Sequence, residues 1–381
     1  MKKVYCIGCG VVTPVGDTPK GVFQAVREGR SALCLHPGFP EPFFASLMPR
    51  DCTAPGTLFD HMVKEAAAAA VKEAGIDASS PRTGLILSSI KGNVEMLGHG
   101  SADVSLAVQA RRLAQALGVT TAPVVVSNAC ISGLAALVQG MRMIQGGQFD
   151  QVIVAGCEVQ SRFIVTGFQS LKALSLQACR PFDEARDGLN LGEAAAAMVL
   201  SSQPMTPMTL GEIGFSSSRT KNNFPQPWEL VSGCIRNDAN HISGPSRTGE
   251  GSYNALQYVL EDARPEALAF VNVHGTATRY NDEMEAIALG RAGLEKLPVN
   301  ALKGIFGHTM GAAGILESIV SMQALEAGVV LPTKGYENLG VSVPVNVSAQ
   351  ERPAQGSQFI KLLSGFGGVN GALLFQKGGA L

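Results

Sequence analysis

Two long helices built largely of small residues constrain this chain more than any other feature. One is expected over residues 133–144, Gly-Leu-Ala-Ala-Leu-Val-Gln-Gly-Met-Arg-Met-Ile, and the other over 311–327. Glycine and alanine leave little bulk on a helix face, so another backbone can approach it closely. Around them, apolar runs and turn residues predict strands at 4–7, 84–87, 124–126, 151–155, 194–200, 208–215, 269–273, 359–363 and 370–376. Helices are expected at 20–28, 61–74, 104–117, 253–263 and 282–290, and residues 33–58 read as a loop excursion without clear period. Strands alternating with helices predict mixed α/β layers over buried sheets. The element order repeats from about residue 207, each pass holding one small-residue helix, which predicts an internal duplication with halves 1–206 and 207–381.

At 381 residues and 46% hydrophobic, the chain can bury a large core. A formal net charge of −1 gives no electrostatic case for nucleic acid or a membrane surface. The first apolar run breaks at Gly8, against a signal peptide, and no run is long enough to span a bilayer. Eight cysteines scattered through a large chain predict reduced thiols and a cytoplasmic protein. Cys6-Ile-Gly-Cys9 lacks a second ligand pair and reads as packing at a strand end.

Chemistry concentrates at three places. Cys130 lies in Ser127-Asn-Ala-Cys-Ile-Ser-Gly133, directly after a strand and at the mouth of the first small-residue helix. Free Cys is usually core packing. A strand-to-helix corner, however, sets the sulfur beside free backbone N–H groups and the positive helix end, which favours thiolate, the nucleophile. His274 ends a strand and precedes Gly275-Thr-Ala-Thr278; Asp282 and Glu285 follow one turn apart on the next helix. His308 precedes the second small-residue helix, and Lys303 stands just before it among apolar neighbours. A buried lysine needs a carboxylate, for which Glu285 is the candidate. One nucleophile with two acid–base candidates points to acyl transfer through a thioester.

In order along the chain, Val11-Val-Thr-Pro-Val-Gly16, Ala129-Cys-Ile-Ser-Gly133, Arg180-Pro-Phe-Asp183, Arg186-Asp-Gly188, Gly192-Glu193, His274-Gly-Thr-Ala-Thr278, Lys303 with Gly307-His308, and Gly365-Phe-Gly-Gly-Val-Asn370 resemble the signatures of the β-ketoacyl-acyl-carrier-protein synthases. These are condensing enzymes of the thiolase superfamily, and Cys-His-His resembles their elongating members. The resemblance implies a five-layer αβαβα fold of two similar halves. It implies that Cys130 takes an acyl group, that the N–H groups of Cys130 and Phe366 form an oxyanion hole, and that His274 and His308 promote decarboxylation of a malonyl-carrier. Lys303 and Glu285 would form a supporting ion pair, and Thr276 and Thr278 would bind the phosphopantetheine arm. No metal or redox cofactor is implied, because CO2 loss drives the reaction. The chain departs from the pattern at Ser364, where a Phe is usual beside the gate Phe366, which implies altered gating or a wider passage. The resemblance further implies an acyl carrier protein as partner and a dimer, homomeric or with a ketosynthase-like subunit. Arg111, Arg112 and Arg186 are candidate carrier-docking residues. Fatty-acid or specialised polyene or polyketide synthesis would be served; the alternative is a non-catalytic, chain-length-controlling partner of another ketosynthase.

Overall fold

Among the described residues, eleven strands form one hydrogen-bonded sheet in which a single five-strand pattern occurs twice. Outward from its centre, the first half runs Tyr5–Val12, Ala194–Ser201, Gln151–Glu158, Thr83–Ser88 and Val124–Val126, with two antiparallel pairings inside and two parallel ones outside. The second half runs Trp228–Asn237, Val369–Lys377, Gln358–Gly365, Leu268–Asn272 and Pro298–Asn300 with the same directions, then the short Asn346–Val347. The halves join through Tyr5 opposite Glu229 and Cys6 opposite Trp228. The computed structural model describes residues 2–37, 41–50, 56–97, 104–204 and 227–378. The expected boundary at 206/207, the strand expected at 208–215 and Cys52 lie outside these residues.

Helices make the other three layers. Leu58–Ala74 and Leu106–Leu117 cover the outer face of the first half through Phe59, Met62 and Leu113, against Leu85, Ile153 and Val199. Glu250–Leu260 and Arg279–Arg291 cover the second through Leu256, Val259 and Leu289, against Val271, Ile360 and Leu374. Between the halves lie Ser132–Gln145 and Ala313–Glu326, whose Leu134, Leu137, Ile315 and Ile319 join the inner faces of both. Each such side chain removed from water contributes about 1.5–3 kcal/mol. The result is the five-layer αβαβα fold.

The small residues of the middle layer have the expected purpose. A Cβ on Gly314 would lie 2.3 Å from the Leu134 nitrogen, and one on Gly133 2.8 Å from the Gly311 oxygen, so no side chain fits where these helices touch. The corners that open the two helices are also equivalent. Each holds a non-glycine residue in the left-handed region, Ala129 (φ 46°) and Met310 (φ 42°). Cys130 follows the first and Gly311 the second.

Two expectations are corrected. The helix expected from residue 61 begins at Leu58, because Thr57 and Asp60 form a capping box that recruits an extra turn. It stops, as expected, at Gly75 (φ 61°). The excursion at 33–58 contains a hairpin, Leu33–His36 with Phe43–Ser46, and the latter also pairs with Leu191–Gly192. Cys6 and Cys9 are buried with sulfurs 3.4 Å apart, and the seven cysteines among the described residues are free.

Candidate active site

Cys130 is fixed by its corner. Ser132 accepts from the Asn128 N–H (2.7 Å) and donates to the Ala129 carbonyl (2.6 Å), tying the turn to the helix start. Gly365 lies against it: a Cβ there would sit 3.1 Å from the Cys130 nitrogen. Burial pushes the thiol up to about 11, against the opposing pull of the Lys303 charge and the Phe366 N–H. Desolvation thus opposes the thiolate that the corner favours.

His308 is held from both sides of its backbone. Its N–H donates to the Asn190 carbonyl (2.7 Å), and its own carbonyl accepts from the Gly192 N–H (3.1 Å). Gly307 (φ 66°) permits this crossing, since a Cβ there would meet the Leu191 oxygen. The His308 Nδ1 accepts from the Met310 N–H (3.3 Å), which assigns the ring proton to Nε2. His274 sits just past the strand Leu268–Asn272. Its ring meets that of His308 edge-on, with centroids 4.9 Å apart. Burial first, then the Lys303 charge, holds both imidazoles well below the usual histidine range, so both are neutral donors at pH 7. His274 Nδ1 and His308 Nε2 are buried with no hydrogen-bond partner among the described residues. An orphaned buried polar nitrogen is costly and marks a place where a ligand atom belongs.

Ligand atoms of Cys130, His274 and His308 lie within 4.8 Å of one another. By donor type this cluster could also hold a thiophilic cation, although the lysine charges behind the histidines oppose one. The three residues line a cleft of about 480 Å³, with Thr276, Thr278, Ser364 and Phe366 also in its walls. Thr276 and Thr278 share a hydroxyl hydrogen bond (2.9 Å). Phe366 is 39% exposed at the mouth and stacks on Phe168. Ser364 bonds to Asn370 (2.8 Å) and Ser252 (3.1 Å).

The expected Lys303–Glu285 ion pair does not form. Glu285 instead accepts from the N–H groups of His274 (2.6 Å) and Gly275 (2.7 Å), because its helix points it at the backbone of the turn. Burial raises it to about 7. Lys303 donates to Glu317 (2.9 Å) and to the His274 carbonyl (2.5 Å). The other oxygen of Glu317 accepts from Lys361 (2.6 Å), which also donates to the Val273 carbonyl (3.2 Å). All three charged groups are at most 1% exposed. Glu317 and Lys361 are the site residues the sequence reading missed.

One docking candidate, Arg186, is corrected. Arg186 is buried and donates to the Asp183 and Gly340 carbonyls, so it cannot meet a partner. Arg111 and Arg112 are exposed on an outer helix and do not line the Cys130 cleft.

A five-layer duplicated fold with cysteine and two histidines converging between its halves defines a condensing enzyme of the thiolase type. Models of the β-ketoacyl synthase N-terminal and C-terminal domains match residues 39–204 and 229–337. The chain belongs to the β-ketoacyl synthase family. It is 28% identical to 3-oxoacyl-[acyl-carrier-protein] synthase 2 of Vibrio cholerae, over 99% of each chain. It is 27% identical to the tetracenomycin polyketide synthase ketoacyl synthase alpha subunit of Streptomyces glaucescens, over 99% of this chain and 97% of that one. The crystal structure of a β-ketoacyl synthase from Burkholderia phymatum superposes with a TM-score of 0.85 over 100% of both chains, at 27% identity.

Proposed function

We propose that this enzyme joins an acyl group held on Cys130 to the two-carbon unit of a malonyl-carrier protein, giving a 3-ketoacyl-carrier. The observation that carries this reading is the pair of neutral histidines, each with an unpartnered buried ring nitrogen, lining the same cleft as Cys130. In acylation the Cys130 sulfur bonds to the acyl carbonyl, the carrier's C–S bond breaks, and the thiol proton passes to the departing carrier thiolate. The N–H groups of Cys130 and Phe366, both turned toward the sulfur, stabilise the oxyanion. The malonyl thioester then places its carbonyl against the imidazole donors. Its C–CO2 bond breaks, CO2 leaves, and the electron pair becomes an enolate. The enolate carbon attacks the acyl carbonyl, the C–S bond to Cys130 breaks, and the released thiolate takes a proton from water. CO2 release drives the sequence without a redox group or metal. A non-catalytic chain-length subunit has no use for three converging groups.

The substrates arrive on the phosphopantetheine of an acidic carrier, whose arm runs past Thr276 and Thr278. Lys172 and Arg279 line the mouth beside the exposed Leu171 and Tyr280, and they take the place of the buried Arg186 as docking residues. Lys172→Glu with Arg279→Glu is expected to raise the KM for carrier-bound substrates about tenfold while kcat changes less than twofold. An unchanged KM in steady-state assays sinks this assignment. Ser364, small and tied to Ser252 and Asn370, favours a wider passage behind Phe366 and longer or stiffer acyl chains, in fatty-acid or polyene and polyketide synthesis. The edge strand Val124–Val126 is half-buried, which suits pairing with a second ketosynthase-like chain, the same or related. Free thiols support a reducing, cytoplasmic setting, and among the described residues no helix is long and apolar enough to cross a membrane.

The test separates the half-reactions. Wild type is expected to take an acyl mass from acyl-carrier and to release CO2 from malonyl-carrier. His308→Ala is expected to keep acylation within a few-fold and lose CO2 release by about 10²–10⁴-fold. Acylation and CO2 release falling together would falsify the assigned role of His308.

A further inference from the structure

The backbone around His274 is clamped by three buried charged side chains. Glu285 holds its N–H (2.6 Å) and Lys303 its carbonyl (2.5 Å). Lys361 holds the carbonyl of the preceding Val273 (3.2 Å). Along the strand Gln358–Gly365, Phe359 and Leu363 face the middle layer while Ile360 and Leu362 face outward. Strand alternation therefore aims Lys361 inward, at Glu317 on the middle-layer helix.

Charge counting shows that Lys361 is more than a structural partner. Glu317 already has one cation in Lys303, and a one-to-one buried pair is neutral. Adding Lys361 puts two ammonium groups on one carboxylate, a local excess of positive charge at Glu317 with no access to water, which Glu285 offsets only from beyond ion-pair distance. A buried surplus costs stability. Its cleft-side neighbours are the rings of His274 and His308, whose protonation both lysine charges disfavour. The remaining charged neighbour is Glu285.

We infer that Lys361 is a positioning residue for the condensation half-reaction: it fixes the strand end that carries His274 and sets a positive charge behind both imidazole donors, where the enolate develops its negative charge. This inference rests on the condensation reading above. Acylation develops its charge at the backbone N–H groups of Cys130 and Phe366, so Lys361 serves one half-reaction and not the other. The arrangement follows the general rule that fixed charge aimed at developing charge, away from water, accelerates a step.

Lys361→Met tests it. The variant leaves Glu317 and Lys303 as a neutral pair, so its Tm is expected to equal or exceed that of wild type. Acylation of Cys130, followed by intact mass, is expected to stay within twofold. The kcat for CO2 release from malonyl-carrier is expected to fall about tenfold with KM unchanged. Lys361→Gln keeps donors toward Glu317 and Val273 but removes the charge; it is expected to show the same split, and it decides the matter if the Met variant does not fold. Both half-reactions unchanged, both reduced together, or acylation reduced more than CO2 release each overturn the inference. A wild type that releases no CO2 refutes instead the condensation reading, so the two failures are distinguishable.

Discussion

Cys130→Ala is expected to take up no acyl group from any acyl-carrier, and to lose condensation by at least about 10³-fold, because no other group replaces the sulfur in the covalent step. Intact mass reads this directly: wild type gains one acyl mass and the variant none. The fold should survive, since losing one buried sulfur costs on the order of 1 kcal/mol. The same thiol makes a pH prediction. Burial pushes it up to about 11, so the thiolate fraction rises nearly tenfold per pH unit through the neutral range. Alkylation of Cys130 by a small neutral reagent should climb steadily from pH 7 to pH 9. A plateau below pH 7 would mean that the helix end and Lys303 outweigh desolvation. Gain of an acyl mass by Cys130→Ala would move the nucleophile elsewhere.

Glu317→Gln is the variant with the largest expected effect on stability. It leaves Lys303 and Lys361 buried together without a carboxylate, and removing one partner of a buried ion cluster costs about 3–5 kcal/mol. In a chain of this size, that lowers Tm by about 4–6 °C. The pH dependence follows from the signs. Burial would raise Glu317, but the two lysines outweigh it and hold the carboxyl below its ordinary value. A depressed carboxylate contributes stability above its unfolded pKa, and loses it as pH falls through the folded one. Wild-type stability from this group is therefore full at neutral pH and fails only in acid. Lys361 is lowered to about 8, burial being the main cause. Without Glu317 it should drop further, because the carboxylate is what raises it. A lysine with a lowered folded pKa destabilises most below that pKa, so the variant's deficit should narrow as pH climbs toward 8. A thermal melt series checks both, and equal Tm values at pH 7 would show that the cluster is not ionised as described.

Much of this was legible in the chain, for physical reasons. The small-residue helices had to touch something closely, and Gly133 and Gly314 do. Cys130, His274 and His308 stood at strand ends and helix starts, where backbone direction changes and side chains converge. The partner of Lys303 was misread because Glu285 was the nearest carboxylate along an obvious helix start. Sequence spacing, however, does not reveal which way a helix faces. The signal for Glu317 was present. It is a carboxylate in the middle of a helix whose one other charge is its terminal Glu326, buried from Ala313 to Leu325. Lys361 gave the same signal inside Phe-Ile-Lys-Leu-Leu. An ion within an apolar run must meet its opposite, and two such runs in one half should have been matched to each other. The hairpin at 33–46 was unreadable for the opposite reason: its strands are four residues each, one half-exposed and the other largely buried, and neither carries clear apolar–polar alternation.

The duplicated corners carry one more consequence. One half supplies the sulfur and the other both imidazoles, so neither is chemically complete, and the separation of the reacting groups is a property of the seam. That seam is closed by Gly133 against Gly311, and Gly314 against Leu134, with no side chain between. The glycines thus act as the gauge block of a calliper: the jaws are the two corners, and the tolerance of the reaction is machined into a contact that never meets the substrate.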